Sequence, residues 1–223
     1  DYLTGFHVDG VLLVSLHRDD PLPSRLTAAG VPVVQGGLPH AGTLTAPFYV
    51  EVDNAGGARE ATRRLHSTGH GRVATVSGPM DMNAGVERLR GYRQVVEETG
   101  LPDDDRLVEE GDFSVEGGAA AMERLLDSGT DPDAVFVASD MMALGAMRVL
   151  RERGLRVPDD LALVGFDDTP MAQHSDPPLT TVHQPTVRMG SEMATLLTDV
   201  AIPRTEKTAN VVLDTHLVVR GSG

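Results

Sequence analysis

Cysteine and tryptophan are both absent from this chain of 223 residues, and aromatic side chains make up only 4% of it. Without a thiol there is no disulfide, no cysteine nucleophile and no thiolate to hold zinc, which argues against a zinc site and leaves the compartment open. The few aromatics are worth following singly, Phe113 and Phe166 among them. Positive charge is also scarce: 33 acids against 19 Lys and Arg leave a net charge of -14. Nucleic-acid binding is mostly neutralisation of phosphates, so a chain of this sign does not hold DNA by itself, and any such contact must be made by another segment. No apolar run approaches the roughly 18 residues of a membrane span. The start, Asp1 to Gly5, lacks the basic and then apolar character of a secretory signal.

An apolar content of 40% is that of a globular protein, and the length suits one large domain or two small ones. Short β-rich runs alternate with helical ones, the pattern of a parallel sheet with crossover helices. The strands expected are 11–14, 31–34, 49–52, 73–76, 134–138, 161–164, 211–213 and 217–219. Asn54 is the expected N-cap of a helix ending near Thr68, before Gly69. Further helices are expected over 86–99, from the cap Ser114 to Gly129, over 141–153 and over 187–199. The 141–153 helix is apolar on more than one side, so it buries a second face, either inside the domain or against another subunit. Residues 2–7 have the polarity of a last helical turn, so the chain is expected to begin inside a βαβ unit.

The most telling stretch is the strand pattern 161–166 followed by Asp167 and Asp168. An apolar strand that stops on carboxylates places them at a sheet's carboxyl edge, where open α/β folds bind ligands. The Thr180 to Gln184 piece, flanked by Pro178 and Pro185, reads as a stiff extended connector beside it. Arg88 lies just inside the helix after the Gly78-Pro79 loop. Its guanidinium fork suits two adjacent hydroxyls or a carboxylate, or a surface pair with Glu87 or Asp81. Asp167 is a natural acceptor for hydroxyls, or else a turn cap; Asp168 is its structural partner. Phe113 either lies along a ligand face or packs in the core. Ser15 and Ser139 end their strands and either offer a hydroxyl to a ligand or cap the next segment. Gln184 both donates and accepts, while His17, Asp53 and Met82 are weaker candidates. Asp103-Asp104-Asp105 reads as a solvated loop. No histidine spacing suits zinc, and nucleophile-elbow, Walker and dinucleotide motifs are missing, so neither an enzyme, a metal site nor a cofactor is expected.

Ordered motifs along nearly the whole chain resemble the effector-binding core of the lactose-repressor (LacI/GalR) family of bacterial transcription regulators, which is related to periplasmic sugar-binding proteins. They include 11–15, 30–34, Val52-Asp53-Asn54-Ala55-Gly56-Gly57, Ser77-Gly78-Pro79, 87–92, Gly111-Asp112-Phe113, Ala138-Ser139-Asp140, Gly165-Phe166-Asp167-Asp168 and 179–185. The resemblance implies an α/β fold of two Rossmann-like lobes with parallel sheets, like a type I periplasmic binding protein. Residues 1–53 with 185–207 would form an incomplete amino-terminal lobe, and 54–184 with 208–223 the carboxyl-terminal one. It implies a cytoplasmic homodimer with Leu144, Met147 and Arg148 at the interface. A sugar-like effector in the cleft would be held by Ser15, Arg88, Phe113, Ser139, Asp167 and Gln184. It would control operator binding by a helix-turn-helix that is not in this sequence. Leu38 departs from the family's usual Arg, which bears on effector identity. The rival expectation is a periplasmic-type sugar receptor for transport.

Overall fold

A computed structural model describes residues 3, 7–39, 48–201 and 210–223. Among them the elements run β1 (Val11–Val14), α1 (Leu22–Ala28), β2 (Val33–Gly36), β3 (Phe48–Val52), α2 (Asn54–Ser67), β4 (Val73–Ser77) and α3 (Asn83–Thr99). There follow β5 (Val108–Glu110), α4 (Val115–Asp127), β6 (Ala134–Val137), α5 (Asp140–Glu152), β7 (Ala162–Asp167), α6 (Pro170–His174), β8 (Thr180–His183), α7 (Thr186–Ala201), β9 (Val211–Leu213) and β10 (His216–Val218). The reading of residues 2–7 falls almost wholly outside the described residues.

The chain divides into two compact units. Unit 1 comprises the described residues up to Asp53, Asp81–Ala84 and Pro185–Asp214. Its four strands are parallel in the order β1-β2-β3-β9. Helix α7 packs Met193 and Leu196 on Val34, Val50, Val52 and Leu213. Residues 211–213 were expected in the other lobe; they belong here because Val211–Leu213 pairs with Val50–Val52 of β3.

Unit 2 comprises Asn54–Met80, Gly85–Gln184 and Thr215–Gly223. Its sheet has the order β10-β8-β7-β6-β4-β5, parallel except for β10. Both faces are covered, which is why β4, β6 and β7 read as continuous apolar runs rather than alternating ones. Val76, Val135, Val137 and Leu163 face α4 and α5, and Val73, Phe136, Val164 and Phe166 face α2 and α3.

Several boundaries differ from expectation for local reasons. β2 starts at Val33, two residues late, because Gly30 turns the chain at φ 73 and Pro32 has no N–H to give a ladder. α3 begins at Asn83, three residues early, and Asn54 is the first helical residue rather than the one before it. Three short elements, α1, β5 and α6, were not anticipated. α1 and α6 begin beside prolines, and β5 is an edge strand carrying Glu109 and Glu110.

Candidate functional site

Read from β5 to β8, the parallel strands of unit 2 lie in the order β5-β4-β6-β7-β8, so the chain reverses direction of travel between β4 and β6. Crossovers leaving on opposite sides open a crevice at the carboxyl ends of such a strand pair, the usual ligand position in open α/β sheets. Five segments meet at that edge: Ser77 ending β4 with Gly78, Gly111 to Phe113 after β5, Ala138-Ser139 after β6, Asp167 ending β7, and Gln184 after β8.

Arg88 is the hub of this edge. It is 4% exposed, and a buried guanidinium requires partners on each side. Nε donates to Asn54 Oδ1 at 2.7 Å. Nη1 donates to the Ala138 carbonyl at 2.6 Å and to Asp167 Oδ1 at 3.2 Å, and Nη2 to Gln184 Oε1 at 3.0 Å. The guanidinium carbon sits 3.6 Å from the centroid of the Phe166 ring and 5.8 Å from that of Phe113. Three expected residues, Arg88, Asp167 and Gln184, therefore converge. Glu87 pairs with Arg90.

The carboxylates differ in environment. Burial raises the Asp167 carboxyl above the ordinary range, and Arg88 opposes that rise; the side chain keeps 26% of its surface exposed. For Asp168, burial would raise the carboxyl, but hydrogen bonds from Arg220 at 2.6 Å and His183 at 2.9 Å more than offset it and hold it low. Asp140 was not among the expected site residues. Burial pushes its carboxyl up to about 6, neighbouring Asp167 adds to the rise, and hydrogen bonds from Thr181 and Thr169 counter it.

The Asp140 shift makes stability depend on pH with a definite sign. The folded carboxyl titrates near 6 and the unfolded one near ~3.9, so between those values the folded chain holds a proton that the unfolded chain has lost. This group therefore destabilises the fold increasingly as pH rises from about 4 to about 6, and by a constant amount above that. Asp140→Asn, which cannot ionise, is expected to gain ~2 kcal/mol on wild type between pH 4 and pH 7.5. Urea unfolding across that range measures it, and a difference independent of pH contradicts it.

The other candidates fall into place individually. Phe113 is half-buried at φ 65, and its ring covers Gly78, where a Cβ would overlap it. Ser139, 2% exposed, accepts from the Met142 N–H at 3.2 Å, so its hydroxyl caps α5. Ser114 caps α4 through Gly117 N–H. Ser15, exposed at φ 56, lies in unit 1, as do Asp53, Met82 and His17, which is 2.7 Å from Asp81. Sequence reasoning missed Asn54 and Ala138 as partners of Arg88 and Phe166 as its platform. Among the described residues no group of three His, Asp or Glu is placed to hold a metal.

Comparison with known proteins gives this geometry a family. The model of the periplasmic binding protein-like domain matches residues 62–223. A solved regulatory protein of the LacI family from Chloroflexus aggregans is 33% identical, with a TM-score of 0.89 over 100% of this chain and 79% of that one. The chain belongs to the LacI family. What it comprises of that family is the effector-binding core, with the periplasmic-binding-protein-like fold.

This LacI-family core is 56% identical over 222 residues to the HTH-type transcriptional regulator CelR of Thermobifida fusca, covering 100% of the chain and 65% of that protein. It thus spans about two thirds of the length of this relative. A solved CelR-cellobiose complex matches with 56% identity and a TM-score of 0.94, over 100% of this chain and 68% of that one. The repressor CytR of Escherichia coli K12 is 39% identical over 173 residues, 78% of the chain and 51% of that protein. These relatives are regulators, not enzymes.

Helix α5 of the LacI-family core accounts for its apolar breadth in two ways. Met142, Ala143, Ala146, Val149 and Leu150 are buried within unit 2, against α4 and the sheet. Half-buried Leu144 and exposed Arg148, with the edge of buried Met147, line an open groove of about 410 Å³ with Arg151, Leu155 and Pro177.

Proposed function

We propose that this chain is the effector-sensing core of a cytoplasmic transcriptional regulator. In this reading it binds a short β-glucoside such as cellobiose at the Arg88, Asp167 and Gln184 edge, and occupancy controls how the full-length protein holds its operator. The observation that carries the reading is the buried Arg88 hub with a part-exposed Asp167 carboxyl, in a chain 56% identical to a regulator solved with cellobiose. Asp167 accepts from two sugar hydroxyls, Gln184 donates and accepts, and the Phe113 ring covers the apolar face of a pyranose. Ligand shifts the regulator's states only as far as its affinities for them differ, and a coupling of about 1 to 3 kcal/mol to operator binding is ordinary. Titration calorimetry with cellobiose, ribose and inosine tests the ligand: saturable heat with cellobiose alone supports it, and none with cellobiose ends it.

The core is proposed to work as a homodimer through the α5 groove. Leu144 and Arg148 present the side of the helix that its own unit leaves open, the buried Met147 reaches the same groove, and a second copy covers it. Leu144→Arg with Arg148→Glu, which puts a charge into that interface and reverses another, is expected to convert dimer to monomer in sedimentation at micromolar concentration. An unchanged dimer locates the interface elsewhere.

A further inference from the structure

We infer that Asp140 is a positioning residue for the effector site, forming a clasp that holds the Asp167 to Thr169 turn in the shape that presents the Asp167 carboxyl. The inference rests on the proposed ligand role of Asp167. Asp140 is 0% exposed, so it acts through other residues rather than on a ligand. Its Oδ2 accepts the Thr169 backbone N–H at 2.7 Å, and its Oδ1 accepts the Thr181 hydroxyl at 2.6 Å. The clasp thus ties the turn, immediately after Asp168, to the start of α5 and to β8.

That turn needs holding. Asp167 and Asp168 stand at φ 114 and φ 57, a region that residues with a side chain adopt only when their surroundings over-determine it. Without the clasp the turn relaxes toward ordinary φ values and the Asp167 carboxyl leaves Arg88. Gly165, two residues earlier on β7, makes room: a Cβ there would lie 2.6 Å from Asp140 Oδ1. An acid in the first turn of a helix commonly serves only that helix's N–H groups and dipole. Here both carboxyl oxygens are spent on other segments, the β7–α6 loop and β8. Ala138, Ser139 and Asp140 therefore divide one task among them. The first accepts from Arg88, the second caps α5, and the third fixes the turn that carries Arg88's counter-charge.

The test reads the clasp with and without ligand. In Asp140→Ala, amide hydrogen exchange at Thr169 is expected to accelerate about tenfold or more while the amides of α5 beyond its first turn keep their protection. Cellobiose affinity is expected to fall by a similar factor, the size of one charge-assisted hydrogen bond. Asp140→Asn restores both to within about threefold of wild type, since its oxygen accepts from Thr169 and its amide donates to the Thr181 hydroxyl. Should the alanine variant not fold, Asp140→Ser replaces it, because serine suits a helix N-terminus while its hydroxyl does not reach Thr169. Unchanged Thr169 exchange in a folded variant overturns the clasp whatever the chain binds. Altered exchange with cellobiose affinity within about twofold of wild type overturns the positioning role. A wild-type chain that binds no cellobiose refutes the proposed ligand instead, and Thr169 exchange still decides the clasp.

Discussion

Arg88→Ala is expected to weaken cellobiose binding by at least about 100-fold and to cost ~3 kcal/mol of folding stability. The two losses share a cause. Arg88 is 4% exposed and joins Asn54, the Ala138 carbonyl, Asp167 and Gln184. Truncation leaves four acceptors facing a void, and each buried acceptor without a donor costs free energy. It also removes the charge that opposes the upward drift of Asp167, so the carboxyl protonates more readily and becomes a poorer acceptor for sugar hydroxyls. Arg88→Lys recovers some stability but little affinity, because one ammonium does not span partners arranged around a planar fork. Calorimetry gives the first number and urea unfolding the second. Affinity within about threefold of wild type would remove Arg88 from the site.

Phe166→Ala carries the largest cost to the fold, ~4 kcal/mol. Its ring is wholly buried on β7 among Ala58, Phe136, Val164 and Val182, and the Arg88 guanidinium rests on its face. A cavity under a buried cation both removes packing and frees the cation to shift. Phe166→Leu separates those effects: it fills most of the volume and costs ~1.5 kcal/mol, yet lacks a π-face, so ligand affinity still falls about fivefold. Urea midpoints with calorimetry on both variants measure the pattern. A leucine variant with undiminished affinity shows that the ring acts through packing alone.

The fold was legible wherever one physical signal dominated a segment. The apolar runs of β4, β6 and β7 and the Gly69, Gly100 and Gly129 stops of their helices follow from burial on two faces and from left-handed termini at φ 103, 71 and 73. Short edge elements were not legible, because β5 is three residues with two acids and α1 begins among prolines. At the site, Asp167 and Gln184 stand out because they lie at strand ends and Arg88 because it lies in the helix that follows one, and their convergence comes from the β4–β6 reversal that sets those ends side by side. The supporting residues were hidden behind ordinary roles. Asn54 reads as a cap, Phe166 as a core strand residue and Asp140 as the residue before the 141–153 helix, and only long-range contacts assign them to Arg88 and Asp167. Strain was equally hidden: Ser15, Phe113, Asp167 and Asp168 all take positive φ without being glycine, which no local propensity announces.

A crystal structure of this chain grown with cellobiose shows directly whether Asp167 and Gln184 hold the sugar. One glucose ring is expected at the carboxyl edge of the β4–β6 pair, with hydroxyls within hydrogen-bond reach of Asp167 and Gln184, the Phe113 ring over its face and Arg88 still joined to Ala138. Cellobiose bound anywhere that leaves the Asp167 carboxyl without a sugar hydroxyl would contradict it.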